Sequence, residues 1–257
     1  GALYMSLSMF SFTVNDTFMK AVTQTLPLFQ TIALRGIIAL IGLTLIAWAT
    51  GQLRFDMSRR DAKLISLRSA ADVIATILFL TALQHMQLAN LSAIIQAMPL
   101  AVTLGAALWF KDQIGWRRMT AILIGFVGVV IIISPGSEGF DGWSLLGLGS
   151  VLAIVVRDLS VRPLSREVPS IMVALGAGAA VFAMGLFGSA FQGWQPVTAV
   201  QGAHIGGAGV MLTLGYLSSV TAMRVGDIGF VAPFRYSSLL WAILLGWVFF
   251  ANLPPLH

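Results

Sequence analysis

The sequence predicts an all-α membrane protein: a ten-helix bundle of two inverted five-helix repeats. Nine helices are represented in this chain, and a tenth is expected beyond its end. Three observations carry that expectation. The 257 residues are 58% hydrophobic and only 10% charged, with a mean hydropathy of +0.90, whereas a soluble domain carries about 25% charge. The apolar residues fall into runs long enough to cross about 30 Å of hydrocarbon as helix. The two halves of the chain also repeat one another.

The apolar runs cover roughly residues 2–19, 28–50, 64–86, 88–110, 118–134, 143–163, 170–191, 201–223 and 227–250. Membrane-spanning strands would be shorter and would alternate polar with apolar residues. The connections are short, and several carry helix breakers: Pro135-Gly136, Pro163, Pro169 and Gly193 to Pro196. Cysteine is absent, so neither a disulfide frame nor a Cys-ligated metal is expected.

A net charge of +5 does not point to nucleic acid, because the basic residues form no continuous stripe. They cluster in alternate loops: Arg54, Arg59, Arg60 and Lys63; Lys111, Arg117 and Arg118; Arg162 and Arg166; and Arg224. The other set of loops holds only Lys20, and one of them carries Glu138 and Asp141. Basic loops stay on the cytoplasmic side. A cytoplasmic N-terminus is therefore expected, with the lipid bilayer as solvent. The first residue is Gly1 rather than Met, and further residues are expected ahead of it.

Asn15-Asp16, Lys20 and Pro27 recur as Arg157-Asp158, Arg162 and Pro169 at an offset of 142, and residues 79–90 match 216–227 at an offset of 137. Segment one thus pairs with six, three with eight and four with nine. An odd number of segments separates the copies, so they should have opposite orientation, a common plan in secondary transporters. The first repeat is expected over 1–134 and the second over 143–257.

This pattern resembles the drug/metabolite transporter superfamily, in its EamA-type branch. Two stretches carry the resemblance: LANLSAIIQAMPLAVTLGAALWFKDQIGWRR (88–118) and RVGDIGFVAPFRYSSLLWAILLGWVFFANLP (224–254). Pro99 and Asp112 match the family's mid-helix proline and following acid. Pro233 matches in the second copy, but Asn252 stands where the acid is usual. The resemblance implies a secondary exporter of small metabolites, of the kind that moves amino acids, aromatic ones in particular, by alternating access. A homodimer contact is expected at segment five and its missing partner. An uncoupled facilitator or pore is the alternative.

The substrate cavity is expected near the membrane midplane, between segments four and nine. Gln96 and Pro99 lie on the first, and Pro233, Arg235, Tyr236 and Trp241 on the second. Phe79 and Tyr216 are deep aromatics suited to stacking on a substrate. A proline in a span frees a backbone carbonyl, which needs a cavity or a partner. Arg235 is either a carboxylate ligand or the ion partner of Asp72. Ala93, Ala97, Ala101 and Gly105 repeat every four residues and are expected to serve close helix packing.

Asp16 with Lys20, Asp158 with Arg162, and Arg68 with Asp72 share i,i+4 spacing, so local ion pairs are expected. In the sharper reading Asp16, Lys20, Asp72, Asp158 and Arg162 gate or couple transport. Arg35, Arg68 and Arg157 join Arg235 within or at the edges of segments.

An enzyme is not expected. Residues 203–207 are similar to the histidine helix of rhomboid proteases, and Ser144 would be the matching serine, but no glycine follows Ser144 and Met211 falls where a later glycine belongs. No P-loop, HExxH or Rossmann glycine motif occurs, so no metal or cofactor is expected.

Overall fold

The computed structural model describes residues 1–54, 56–111, 115–133, 142–161, 163–165, 167–225 and 232–250. The described residues are helical, with no strand among them. In chain order the helices are α1 (Ala2–Thr23), α2 (Leu28–Ala49), α3 (Arg59–His85), α4 (Leu88–Ile95), α5 (Met98–Phe110), α6 (Trp116–Ile133), α7 (Trp143–Leu159), α8 (Ser170–Gln192), α9 (Ala199–Val225) and α10 (Ser237–Phe250). A 3-10 turn, Ala232–Tyr236, leads into α10.

Local chemistry sets the ends of these helices. Ser58 caps α3: its Oγ accepts from the Asp61 backbone N–H at 3.0 Å, which satisfies one of the amides a helix start leaves unpaired. At the far end of α2, Gly51 takes φ +64°. The Gly51 N–H then donates to the Trp48 carbonyl, and the Gln52 N–H donates to Ala47. These two bonds close the helix in a Schellman motif that favours glycine. Pro27 and Pro169 stand just before α2 and α8, where a missing N–H costs nothing.

Among the described residues, four stretches are long and apolar enough to cross a membrane on those grounds alone: Leu28–Ala49, Arg59–His85, Leu88–Phe110 and Ser170–Gln192. α1 is different, because Ser8, Ser11, Thr13, Asn15 and Thr17 are all buried. Large apolar side chains, by contrast, are turned outward on α2, α6 and α8, among them Ile41, Leu45, Ile124, Ile131, Phe187 and Phe191. Buried polar residues on α1 together with large apolar side chains on the outside suit hydrocarbon surroundings.

α1 lies along α9, α3 along α7, and α2 along α8; α3 also packs on α8, and α2 on α9. α10 packs on α1 and α4, while α7 packs on α4 and α5. The apolar core runs through Met19, Ile32, Leu83, Leu91 and Ile94 to Val151 and Leu159. Among the described residues α6 packs mainly on α4 and α5, and it exposes Leu123, Ile124 and Val127. That is the peripheral position expected of segment five.

Two glycines show how closely the helices approach. A Cβ on Gly185 of α8 would lie 2.7 Å from the Ala33 backbone nitrogen of α2. On Gly105 of α5 it would lie 2.6 Å from a Val155 methyl of α7. Ala97 and Ala101 are buried on the same stripe as Gly105, so the small residues of segment four serve close helix packing, as expected.

Segment four is not one straight helix. It breaks at Gln96-Ala97, where the Ala97 N–H turns to the Ile94 carbonyl at 3.0 Å. Pro99 has no N–H to offer the Ile95 carbonyl, which removes a helical bond at this point.

Candidate functional site

Two clusters of charge lie between the helices, with charged side chains from α1, α2, α3 and α7. The first lies between α1 and α2. Asn15 Nδ2 donates to Asp16 Oδ1 at 2.9 Å, and Arg35 Nη1 donates to Asn15 Oδ1 at 3.2 Å. Asn15 thus bridges a carboxylate and a guanidinium. Arg35 is 6% exposed, and its Nε has no hydrogen-bond partner.

The second cluster joins α3 to α7. Arg157 Nη1 contacts Asp72 Oδ1 at 3.1 Å, and its Nε contacts Asp158 Oδ1 at 2.9 Å. One planar guanidinium therefore holds two carboxylates. Arg68, one turn before Asp72, donates through Nη1 to the Val173 carbonyl of α8 at 3.3 Å. Its buried Nε is unpartnered.

Tyr216 lies on α9, which packs along α1 and α2. Its ring meets Phe12 of α1 edge-on, with centroids 5.6 Å apart. Tyr216 also lines a cleft of about 170 Å³ between α2, α8 and α9, with Thr50, Gln52, Ser170 and Ala174 in the wall. Thr50 and Ser170 are helix-end residues, so this cleft leads from the end of the bundle that carries Arg54 and Arg59 toward Tyr216.

Several expected pairings do not form. Lys20 does not pair with Asp16. Its Nζ donates to the Leu83 carbonyl at 2.7 Å and to the Met86 carbonyl, and it lies over the Phe250 ring. The carbonyls at the end of α3 are better placed than a side chain on its own helix. Arg68 does not pair with Asp72, because Arg157 from α7 occupies that carboxylate. No ion pair joins Asp72 to Arg235 among the described residues; Arg235 sits half-buried on the 3-10 turn. Arg162, Asp112 and Asn252 lie outside the described residues, as does the side chain of Pro233.

The remaining expected residues are scattered. Gln96 Nε2 donates to Ser238 Oγ at 2.8 Å, which ties the break in segment four to the first turn of α10. Pro99 stands beside that break. Phe79 is partly buried and packs against the apolar core. Tyr236 is 45% exposed. Trp241 meets Phe10 edge-on at 5.1 Å, and its indole N–H is buried without a partner. His204 stacks on Phe18, and no hydrogen bond joins it to Ser144, so the protease arrangement is not formed among the described residues.

Arg157 and Arg35 are the functional groups that the expected set left out. A lone arginine within a span is costly enough to mark both. Their i,i+4 neighbours gave no reason to single them out.

Buried charges among helices with an apolar exterior define a multi-pass membrane protein. The EamA-like transporter family model matches residues 1–134, and the chain belongs to that family. Over 166 residues it is 34% identical to a riboflavin transporter of Vibrio cholerae, covering 63% of this chain and 55% of that protein. Over 260 residues it is 25% identical to a pseudopaline exporter of Pseudomonas aeruginosa, covering 99% of this chain and 89% of that protein. A riboflavin transporter of Rhizobium johnstonii is 28% identical over 171 residues, 63% of this chain and 54% of that protein. The chain thus spans about half the length of the riboflavin transporters it matches.

Proposed function

We propose that this protein is a secondary transporter that moves small organic metabolites across a bacterial inner membrane by alternating access. Its N-terminus would be cytoplasmic, and residues 1–134 and 143–257 would form two inverted repeats. The observation that carries the reading is the pair of charge clusters between the helices, in a chain of a transporter family. Charges within membrane helices are expensive and are retained where a polar solute or ion passes.

The helix packing supports the inverted plan. Exchanging first-half helices for their second-half counterparts turns the α1–α9 contact into α7–α3 and leaves α2–α8 unchanged. Asn15-Asp16 and Arg157-Asp158, which correspond in the two copies, each anchor one cluster. In this reading the two clusters are gates that loosen in turn as the halves rock. The relatives' names widen the substrate class from amino acids to larger polar metabolites, riboflavin and pseudopaline among them.

The test is flux into proteoliposomes containing the protein, with a labelled panel of amino acids, riboflavin and carboxylate metabolites, run with and without a pH gradient. Saturable, selective uptake of at least one member is expected. A response to the gradient would mark proton coupling, and its absence would mark a facilitator. No flux above empty vesicles for any member would overturn the reading.

A further inference from the structure

Two helix starts carry the same device. Ser58 stands just before α3, and its Oγ accepts from the Asp61 N–H at 3.0 Å and donates to Asp61 Oδ2 at 2.7 Å. Thr198 stands just before α9. Its Oγ1 accepts from the Gln201 N–H at 3.4 Å, while its own N–H and hydroxyl donate to Gln201 Oε1 at 2.9 and 3.0 Å. A hydroxyl residue followed three positions later by an acid or amide is the pattern of a capping box. In both places the later residue also reaches out of its own helix. Asp61 accepts from the Ser165 N–H at 3.1 Å and from Ser165 Oγ at 2.9 Å. Gln201 Nε2 donates to Thr25 Oγ1 at 2.8 Å. Ser165 lies in the connection between α7 and α8, and Thr25 in the one between α1 and α2. Each box thus ties one half of the chain to the other.

The two contacts are copies. Thr25 and Ser165, Ser58 and Thr198, and Asp61 and Gln201 are each 140 positions apart, between the offsets of 142 and 137 that relate the halves elsewhere. Ile65 and Ile205 keep the same spacing, one turn inside each box, and both are buried. The contacts stand at opposite ends of α2 and of α8, so they close opposite faces of the bundle. Asp61 is about three turns before Asp72 on α3, outside the charge clusters. Ser165 and Thr25 are exposed, so water can replace either as a partner at modest net cost. The Thr25 end has a second fastening. Gln30 and the Gln195 backbone exchange two bonds, at 2.8 and 2.9 Å. Ser170, which stands where Gln30 does in the other half, lines the cleft between α2, α8 and α9.

We propose that Asp61–Ser165 and Gln201–Thr25 are repeat-related clasps, one on each face of the bundle, that open in turn during transport. This proposal rests on the transporter reading and deepens it by naming the contacts each face must break. Opening at one face admits water to the buried side of that helix start while the other clasp stays shut.

The chain has no cysteine, so a single introduced one reports alone. The experiment measures the labelling rates of Ile65→Cys and Ile205→Cys by a water-soluble maleimide, in the full chain in lipid nanodiscs. Asp61→Ala should speed labelling of the Ile65→Cys reporter roughly two- to tenfold, the effect on an equilibrium of losing about one net hydrogen bond, and should slow labelling of the Ile205→Cys reporter. Gln201→Ala combined with Gln30→Ala, which also removes the second fastening, should do the opposite. Ser165→Ala and Thr25→Val each delete one hydroxyl. They should act in the same two directions more weakly, which keeps the test valid if the larger changes fail to fold. Contacts that merely hold helix ends would, when lost, raise labelling nearby and leave the far reporter alone. A rise at the near reporter alone, a rise at both, or unchanged labelling would therefore overturn the proposal. Reciprocal labelling without flux of any solute in vesicles would keep the clasps and remove the transporter reading. Selective flux without reciprocal labelling would do the reverse.

Discussion

A single guanidinium, that of Arg157, holds the second cluster together. It sits between Asp72 and Asp158, and the Asp72 side chain is only 9% exposed. Removing one partner of a buried pair leaves the other charge uncompensated, at a cost of about 3–5 kcal/mol. Arg157→Gln should therefore lower the unfolding temperature in detergent substantially, and pairing it with Asp72→Asn should recover much of the loss. If the double variant were no more stable than Arg157→Gln, the contact would not be a coupled pair. Lys20 offers a contrast. Lys20→Met keeps the stem but gives up two carbonyl contacts at the end of α3, and increased hydrogen exchange near Leu83 is expected. At this scale the sequence was only half legible. It marked Asp16, Asp72 and Asp158 as interior carboxylates, but it paired them with neighbours on their own helices. Spacing of i,i+4 makes a pair possible, yet the partner is decided by which helix packs alongside, and that is a tertiary fact. α7 carries Arg157 to Asp72, and α3 offers Lys20 its carbonyls.

The break between α4 and α5 is a property of an element. Pro99 removes one helical bond, and the Gln96–Ser238 bond fixes the break against α10. Pro99→Ala restores the missing donor and should stiffen segment four, slowing flux while leaving stability unchanged or higher. Unaltered flux in a well-folded Pro99→Ala would show that the break plays no part in movement. A double-mutant cycle on Gln96→Ala and Ser238→Ala should give a coupling of about 0.6 kcal/mol, the usual size for interhelical bonds in membranes. Here the sequence was more legible: the proline, the small-residue stripe and most helix bounds could be read directly. α1 runs four residues past its apolar segment, to Thr23, because its last turn is buried against neighbours instead of lipid. Hydropathy cannot anticipate that.

At the scale of the molecule, the two halves are interleaved. First-half helices α1, α2 and α3 find their main partners in α9, α8 and α7, so the proposed alternating access would have to slide these contacts. Gly185 sits where α8 meets the backbone of α2. Gly185→Leu should separate those helices, with clear loss of stability in a thermal melt, whereas Gly206→Leu, at a position with open space around it, should not. The Asp72–Arg157 contact has one further consequence, for the making of the protein. The two residues are 85 positions apart, and a ribosome adds about 5–20 residues per second. For on the order of 4–17 seconds, α3 is therefore in the membrane with a carboxylate whose counter-charge has not yet been synthesised. The insertion machinery must shelter that helix until α7 emerges, and a ribosome stalled in between would leave a fragment exposed to membrane proteolysis.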